Sequence, residues 1–247
     1  MLLGADTLVP VTDALVAKVR TQFGQPPIFW GRYFKKPDFP EDYQPAIENV
    51  VFANNNLRLL PIARQTNRVG GSLADGADDA LLNAAAFTQS LGVEHLAKIG
   101  GEFLMFLDVE GTSAKNPNVS LDYWIGWSAA LVAQSRRISG GRFTMVPGIY
   151  CRQNQSPTWD AIARAHTLGF PCTGAWVFRA HNDACTKAVP GWESTFNTPA
   201  TALPCPIMLW QFAIDCIFDG GVDFDMLNPD PATAAALLNR LAFPPAS

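Results

Sequence analysis

The stretch Phe103-Leu104-Met105-Phe106-Leu107-Asp108-Val109-Glu110-Gly111 decides how this chain is read. It is an apolar run that ends in two carboxylates, spaced two positions apart. On a β-strand, residues i and i+2 share a face, with Cα atoms about 6.5–7 Å apart. Leu104, Phe106, Asp108 and Glu110 therefore form one face, apolar at its start and acidic at its C-terminal end. Parallel β/α barrels carry their active sites on the rim made by strand C-termini. The stretch reads as one stave of such a barrel, with its paired acids at the mouth.

On either side of it, apolar runs alternate with amphipathic segments, the pattern of βα units around a parallel sheet. Strands are expected at 2–7, 28–34, 56–64, 143–151 and 173–180. Helices are expected from Thr12 or Asp13 to Phe23, over 45–55, over 77–91 with a stop at Gly92, from Ser120 to Arg137, and over 158–168. After the sixth strand the alternation breaks. Residues 181–206 hold four prolines and Gly191 and no sustained helical period, so a long loop is expected there. Two further strands, 207–214 and 221–227, stand too close together for a parallel crossover. They are expected to form an antiparallel hairpin turning at Asp219-Gly220-Gly221, with a helix over 232–242 closing the chain. The fold class is α/β: a TIM-like barrel of five βα units followed by three strands without regular helices, the last strand antiparallel. Residues 1–247 form a single domain.

An antiparallel last strand starts at the end where the others finish. Asp223 then reaches the rim, with Asp225 one step deeper on the same face. The other strands contribute Asp6, Arg32 and Tyr33, Arg64, Tyr150, Trp176 and Arg179, and Trp210 and Gln211. Converging acids, aromatic rings and a few arginines suit a saccharide. Hydrolysis of a glycosidic bond needs a proton donor and a second carboxylate near the anomeric carbon, and aromatic faces suit the apolar faces of sugar rings. Crowded carboxylates keep one of their number protonated near neutral pH. Glu110 is assigned that place, as the general acid; Asp108, Asp6 and Asp223 complete the catalytic set. Arg32, Arg64, Tyr150, Trp176, Trp210, Gln211 and Asp225 are assigned to substrate binding. Tyr123, Trp124 and Trp127, at helical spacing, read as outer-layer packing, and Ser72 lacks the frame of a hydrolase nucleophile.

Composition narrows the function further. The 247 residues are 48% hydrophobic and 16% charged, with a net charge of −4. That balance implies a large core and argues against a nucleic-acid partner. No apolar run is long enough to span a membrane. The start, MLLGADTLVP, lacks the basic and apolar regions of a secretory signal, so the chain is expected to be cytoplasmic until released or exported by another route. The five cysteines share no metal-ligand spacing. They are expected as free thiols, with Cys185 and Cys205 able to pair in an oxidising compartment. No metal and no cofactor is expected, and the chain is taken as a monomer.

The chain resembles the family-25 glycoside hydrolases, which are bacterial and phage muramidases, and the bacterial glycoside hydrolase-like barrels related to them. The resemblance rests on Gly4-Ala5-Asp6, Asp108-Val109-Glu110, Gly148-Ile149-Tyr150, Trp210-Gln211 and Val222-Asp223-Phe224-Asp225, in that order along almost the whole chain. It implies a barrel with five βα units and three trailing strands. It also implies cleavage of the β-1,4 bond between N-acetylmuramic acid and N-acetylglucosamine in peptidoglycan. Glu110 would be the acid, and Asp108 would assist a nucleophile drawn from the substrate's own acetamido group. The second strand, FWGRYF, looks more like the glycoside hydrolase-like relatives, and Arg32 and Arg64 match no muramidase role. Two alternatives stay open: a barrel that binds glycan without cleaving it, and a hydrolase of a different, anionic glycan read by those arginines.

Overall fold

A computed structural model describes residues 1–64, 66–181, 185, 188–217 and 221–245. Eight strands close into one barrel in sequence order: β1 Leu3–Asp6, β2 Phe29–Tyr33, β3 Arg58–Ala63, β4 Gly101–Val109, β5 Phe143–Arg152, β6 Ala175–Phe178, β7 Ile207–Ile217 and β8 Val222–Leu227. Neighbours from β1 to β7 pair in parallel, and β8 runs antiparallel to both β7 and β1. The expected hairpin turn lies largely outside the described residues, which include only Gly221 of its three.

Eight helices are described: α1 Asp13–Phe23, α2 Pro45–Asn54, α3 Leu73–Leu91, α4 Val93–Ile99, α5 Leu121–Ser139, α6 Ser156–Thr167, α7 Ser194–Asn197 and α8 Pro231–Leu238. Two of them, α4 and the four-residue α7, were not expected. Gly92 does end α3, but its backbone turns the chain directly into α4. Helix α3 also starts four residues earlier than its apolar period suggests, because Ser72 and Asp75 form a capping box. Ser72 Oγ accepts from the Asp75 amide (3.3 Å), and Asp75 Oδ2 accepts from the Ser72 amide (2.9 Å), so two orphan donors are satisfied at once.

The outer layer is tightest where α3 crosses α5. A Cβ on Gly126 would lie 2.0 Å from the Leu73 carbonyl, and one on Gly76 2.1 Å from that of Tyr123. Tyr123, Trp124 and Trp127 are buried there as expected. Their polar ends are satisfied: Tyr123 Oη donates to Asp79 (2.8 Å) and Trp127 Nε1 to Asn83 (2.9 Å).

Inside the barrel, Phe29, Leu60, Leu104, Phe106, Leu209 and Leu227 form an apolar plug at the N-terminal end of the parallel strands. Because β8 finishes at that end, α8 lies across it and adds Ala234 and Leu237 to the plug. The segment behind α8 fills the place where β3 and β4 diverge. The Leu59 amide donates to the Ala242 carbonyl (2.8 Å) and the Leu104 amide to that of Arg240 (3.1 Å). The polar inward-facing residues gather at the opposite end.

The described cysteines correct the sequence reading. Cys185 is joined to Cys216, not Cys205, by a disulfide that ties the segment after β6 to the end of β7. Cys151, Cys172 and Cys205 are free.

Candidate active site

Strand register fixes which side chains meet. Asp6 on β1 stands opposite Asp223 on β8, and Gly4 opposite Asp225. Asp225 also faces Gln211 of β7, and Asp108 of β4 faces Tyr150 of β5, which faces Trp176 of β6. Side chains alternate along a strand, so these registers send Asp6, Asp108, Tyr150, Trp176, Gln211 and Asp225 to the interior. One glycine makes the room. A Cβ on Gly31 would stand 2.6 Å from Asp6 Cβ and 2.9 Å from Ile62 Cδ1.

Gln211 organises the floor. Its Nε2 donates to Asp6 Oδ2 (3.0 Å) and Asp223 Oδ2 (2.9 Å), and its Oε1 accepts from Tyr150 Oη (2.6 Å). Asp225 Oδ1 accepts from Trp176 Nε1 (3.0 Å), while the carboxyls of Asp6 and Asp225 hydrogen-bond to each other. Two carboxyl groups share such a bond only with a proton between them. Burial first, then the charge of Asp223, pushes Asp6 well above the usual carboxylate range. Burial first, then the charges of Asp6 and Asp223, does the same to Asp225.

Asp223 sits nearer the opening. Burial, assisted by the charges of Asp215 and Glu110, pushes it up to about 7, against the backbone amide of Asp215, which donates to it at 2.8 Å. Asp108 is buried and Glu110 is half-buried at the lip, where Arg152 Nη2 reaches Glu110 Oε2 at 3.3 Å. The acids meet around two phenols. Burial and the charges of Asp6, Asp108, Asp223 and Glu110 together push Tyr33 far above its ordinary value, and a similar set acts on Tyr150. Asp6, Asp223 and the Asp108–Glu110 pair, from three separate parts of the sequence, therefore share one electrostatic site.

The fold that carries this site has solved counterparts. An uncharacterized protein of B. stearothermophilus superposes with a TM-score of 0.69 at 23% identity, over 98% of this chain and 100% of its own. A muramidase from Acremonium alcalophilum superposes at 0.53 and 15% identity, covering 96% and 99% of the two chains. The catalytic domain of endolysin ply40, from bacteriophage P40 of Listeria monocytogenes, does so at 0.51 and 14%, covering 96% and 98%. At these identities the likeness is one of fold. No family model matches the sequence, and no curated protein does.

Of the residues expected at the mouth, Arg32 and Trp210 lie elsewhere. Arg32 points outward from β2, because Phe29, Gly31 and Tyr33 take the inward positions. It is fully buried, with Nε on Glu48 Oε2 (2.7 Å), Nη1 on the Thr7 carbonyl (2.7 Å) and Nη2 on Glu48 Oε1 (3.1 Å) and the Asp42 carbonyl (3.2 Å). Its donors are occupied by the protein, so it braces the end of β1 and does not grip substrate. Trp210 also faces outward, since it adjoins the inward Gln211. It is buried between Phe196 and Phe212 and donates to the Arg179 carbonyl (2.9 Å). Arg64 stands just past β3 in an ion pair with Glu41, its guanidinium 5.4 Å from the Phe39 ring. Trp176 is buried, stacked edge-on against Tyr150 at 4.7 Å, and forms floor rather than wall.

Two further residues belong to the mouth: Tyr33, expected at the rim but given no role, and Arg152, which the sequence reading missed. Tyr33 stands at the inward end of β2, among the acids. Arg152 follows Tyr150 by two positions, so strand alternation alone puts it on the inward face; ending that strand at Cys151 hid it. Among the described residues, no group of three or more His, Cys, Asp or Glu side chains is arranged to hold a metal ion.

Proposed function

We propose that this protein is a glycosidase that cleaves the glycan strands of peptidoglycan by carboxylate acid–base chemistry at the barrel mouth. The observation that carries the proposal is the meeting of Asp6, Asp108, Glu110 and Asp223 around Tyr33 and Tyr150 at the C-terminal end of a closed barrel. The fold shared with a muramidase and an endolysin catalytic domain supports the choice of substrate.

Glu110 is the acid best placed to meet a substrate, because its carboxyl lies at the lip while Asp6 and Asp225 lie below. It donates a proton to the leaving glycosidic oxygen. Asp108, on the same strand face, stabilises the positive charge that develops at the sugar and orients the attacking group. Asp6 and Asp225 hold a proton between them under this pair, and Gln211 fixes Asp223 relative to Asp6. Tyr150, Trp176 and Gln211 form the polar and aromatic floor under the saccharide. A second reading makes Asp223 the donor, since burial holds it up to about 7.

Incubation with purified peptidoglycan, followed by assay of new reducing ends and mass spectrometry of the products, tests the proposal. Glu110→Gln should lower the rate by about 10²–10⁴-fold, the usual worth of a positioned acid. Full activity in Glu110→Gln with loss in Asp223→Asn would transfer the role to Asp223. Binding to peptidoglycan without release of any product would make the barrel a glycan-binding module.

A further inference from the structure

Beside Glu110 the rim changes sign. The ends of β5 and β6 enclose a cavity of about 380 Å³ lined by Arg152, Gln153, Asn154, Phe178, Arg179 and Ala180. None of these is acidic, although the neighbouring mouth is crowded with carboxyls. Arg152 lies over the Phe178 ring (4.8 Å) and touches Glu110 through Nη2, while its buried Nε has no hydrogen-bond partner among the described residues. Arg179 is exposed, with Nη1 held by Gln153 Oε1 (2.6 Å) and the Thr195 carbonyl (3.0 Å). Its guanidinium pairs with no carboxylate among the described residues. The amide of Gln153 is itself anchored on the Thr195 and Thr198 carbonyls, so the described groups that hold Arg179 in place are neutral.

We infer that this cavity is a subsite for an anionic group, a carboxylate or a phosphate, carried by the saccharide next to the glycosidic oxygen that Glu110 protonates. Guanidinium groups favour planar, paired contacts with either oxyanion, and the volume falls within the 300–1,000 Å³ usual for small-molecule sites. The inference rests on the glycosidase reading only in placing a saccharide in the mouth. It deepens that reading by making the substrate an anionic glycan, recognised at Arg152 and Arg179 instead of the arginines of the second and third strands.

The test is a side-chain NMR titration of the arginine Nε–H groups with three monosaccharides that contain no bond to cleave: glucuronate, glucose 6-phosphate and glucose. Signals of Arg152 and Arg179 should shift with at least one charged sugar, at an affinity at least tenfold above that of glucose, and the affinity should weaken with added salt. A response to glucuronate alone identifies a carboxylated glycan, and a response to glucose 6-phosphate alone a phosphorylated one. Arg179→Gln should reduce the charged-sugar affinity at least tenfold, and Arg179→Lys should recover part of it. Asn154→Asp, at an exposed position, should abolish it without disturbing the fold. Equal affinity for charged and neutral sugars, or unchanged affinity in Asn154→Asp, would overturn the inference. The glycosidase reading fails separately, through absence of new reducing ends from the wild-type protein on any glycan.

Discussion

Two clusters of buried charge stand close together in this barrel, and they are built on opposite plans. Outside β2, Arg32 and Glu48 form a fully buried pair in which all three guanidinium nitrogens and both carboxylate oxygens are hydrogen-bonded to protein groups. Glu48 also accepts from the amides of Val11 (2.9 Å) and Gln44 (2.7 Å), so the pair ties β2 and α2 to the loop that follows β1. Inside the barrel, Asp6, Asp225 and Asp223 crowd together, and their own protons make up the shortage of counter-charge. The outer cluster is neutral and closed on itself, as structural ion pairs are. The inner one is held away from ordinary ionisation, and such perturbed groups in a cleft mark functional sites.

The contrast predicts different responses to losing a single charge. Glu48→Gln leaves the Arg32 guanidinium buried and uncompensated, and should cost about 3–5 kcal/mol in urea unfolding. Replacing both partners by apolar residues of similar size should cost much less than that single change. Equal losses would make the pair an ordinary set of hydrogen bonds.

Removing a charge from the inner cluster should have the opposite sign. Asp223 holds its proton up to about pH 7 in the folded protein, against 3.8 for an ordinary aspartate. Between those values the folded state binds a proton that the unfolded chain has released, so stability falls as the pH rises through that window. Asp223→Asn should flatten the fall and raise stability above neutrality by about 1–4 kcal/mol. A variant less stable than wild type at pH 8 would contradict the crowding that defines the cluster. A smaller effect sharpens the geometry: Gly31→Ala should cost about 1–3 kcal/mol by overpacking against Asp6 and Ile62, and should lower activity by moving the floor.

Much of this was legible in the sequence because strand periodicity is short-range. The pattern FLMFLDVEG puts Asp108 and Glu110 on one face without reference to anything else in the chain. The antiparallel eighth strand followed from the short distance between two apolar runs, and it brought Asp223 and Asp225 to Asp6. What failed was the assignment of face at the second and seventh strands. Arg32 and Trp210 adjoin residues that point inward, and alternation allows only one of each neighbouring pair into the barrel. The Cys185–Cys216 bond depends on how the segment after β6 folds back on β7, which no local pattern encodes. Helix α4 was hidden by a glycine that ends one helix and begins the next.

A direct measurement of the inner cluster is carbon-detected NMR of the side-chain carboxyls across the pH range, with Asp6, Asp223 and Asp225 assigned by single asparagine substitutions. The account predicts that Asp223 titrates near 7 and that Asp6 and Asp225 titrate well above the ordinary aspartate range, with each shifted by substitution of the others. Three independent carboxyls, all ionised below about pH 5, would contradict it.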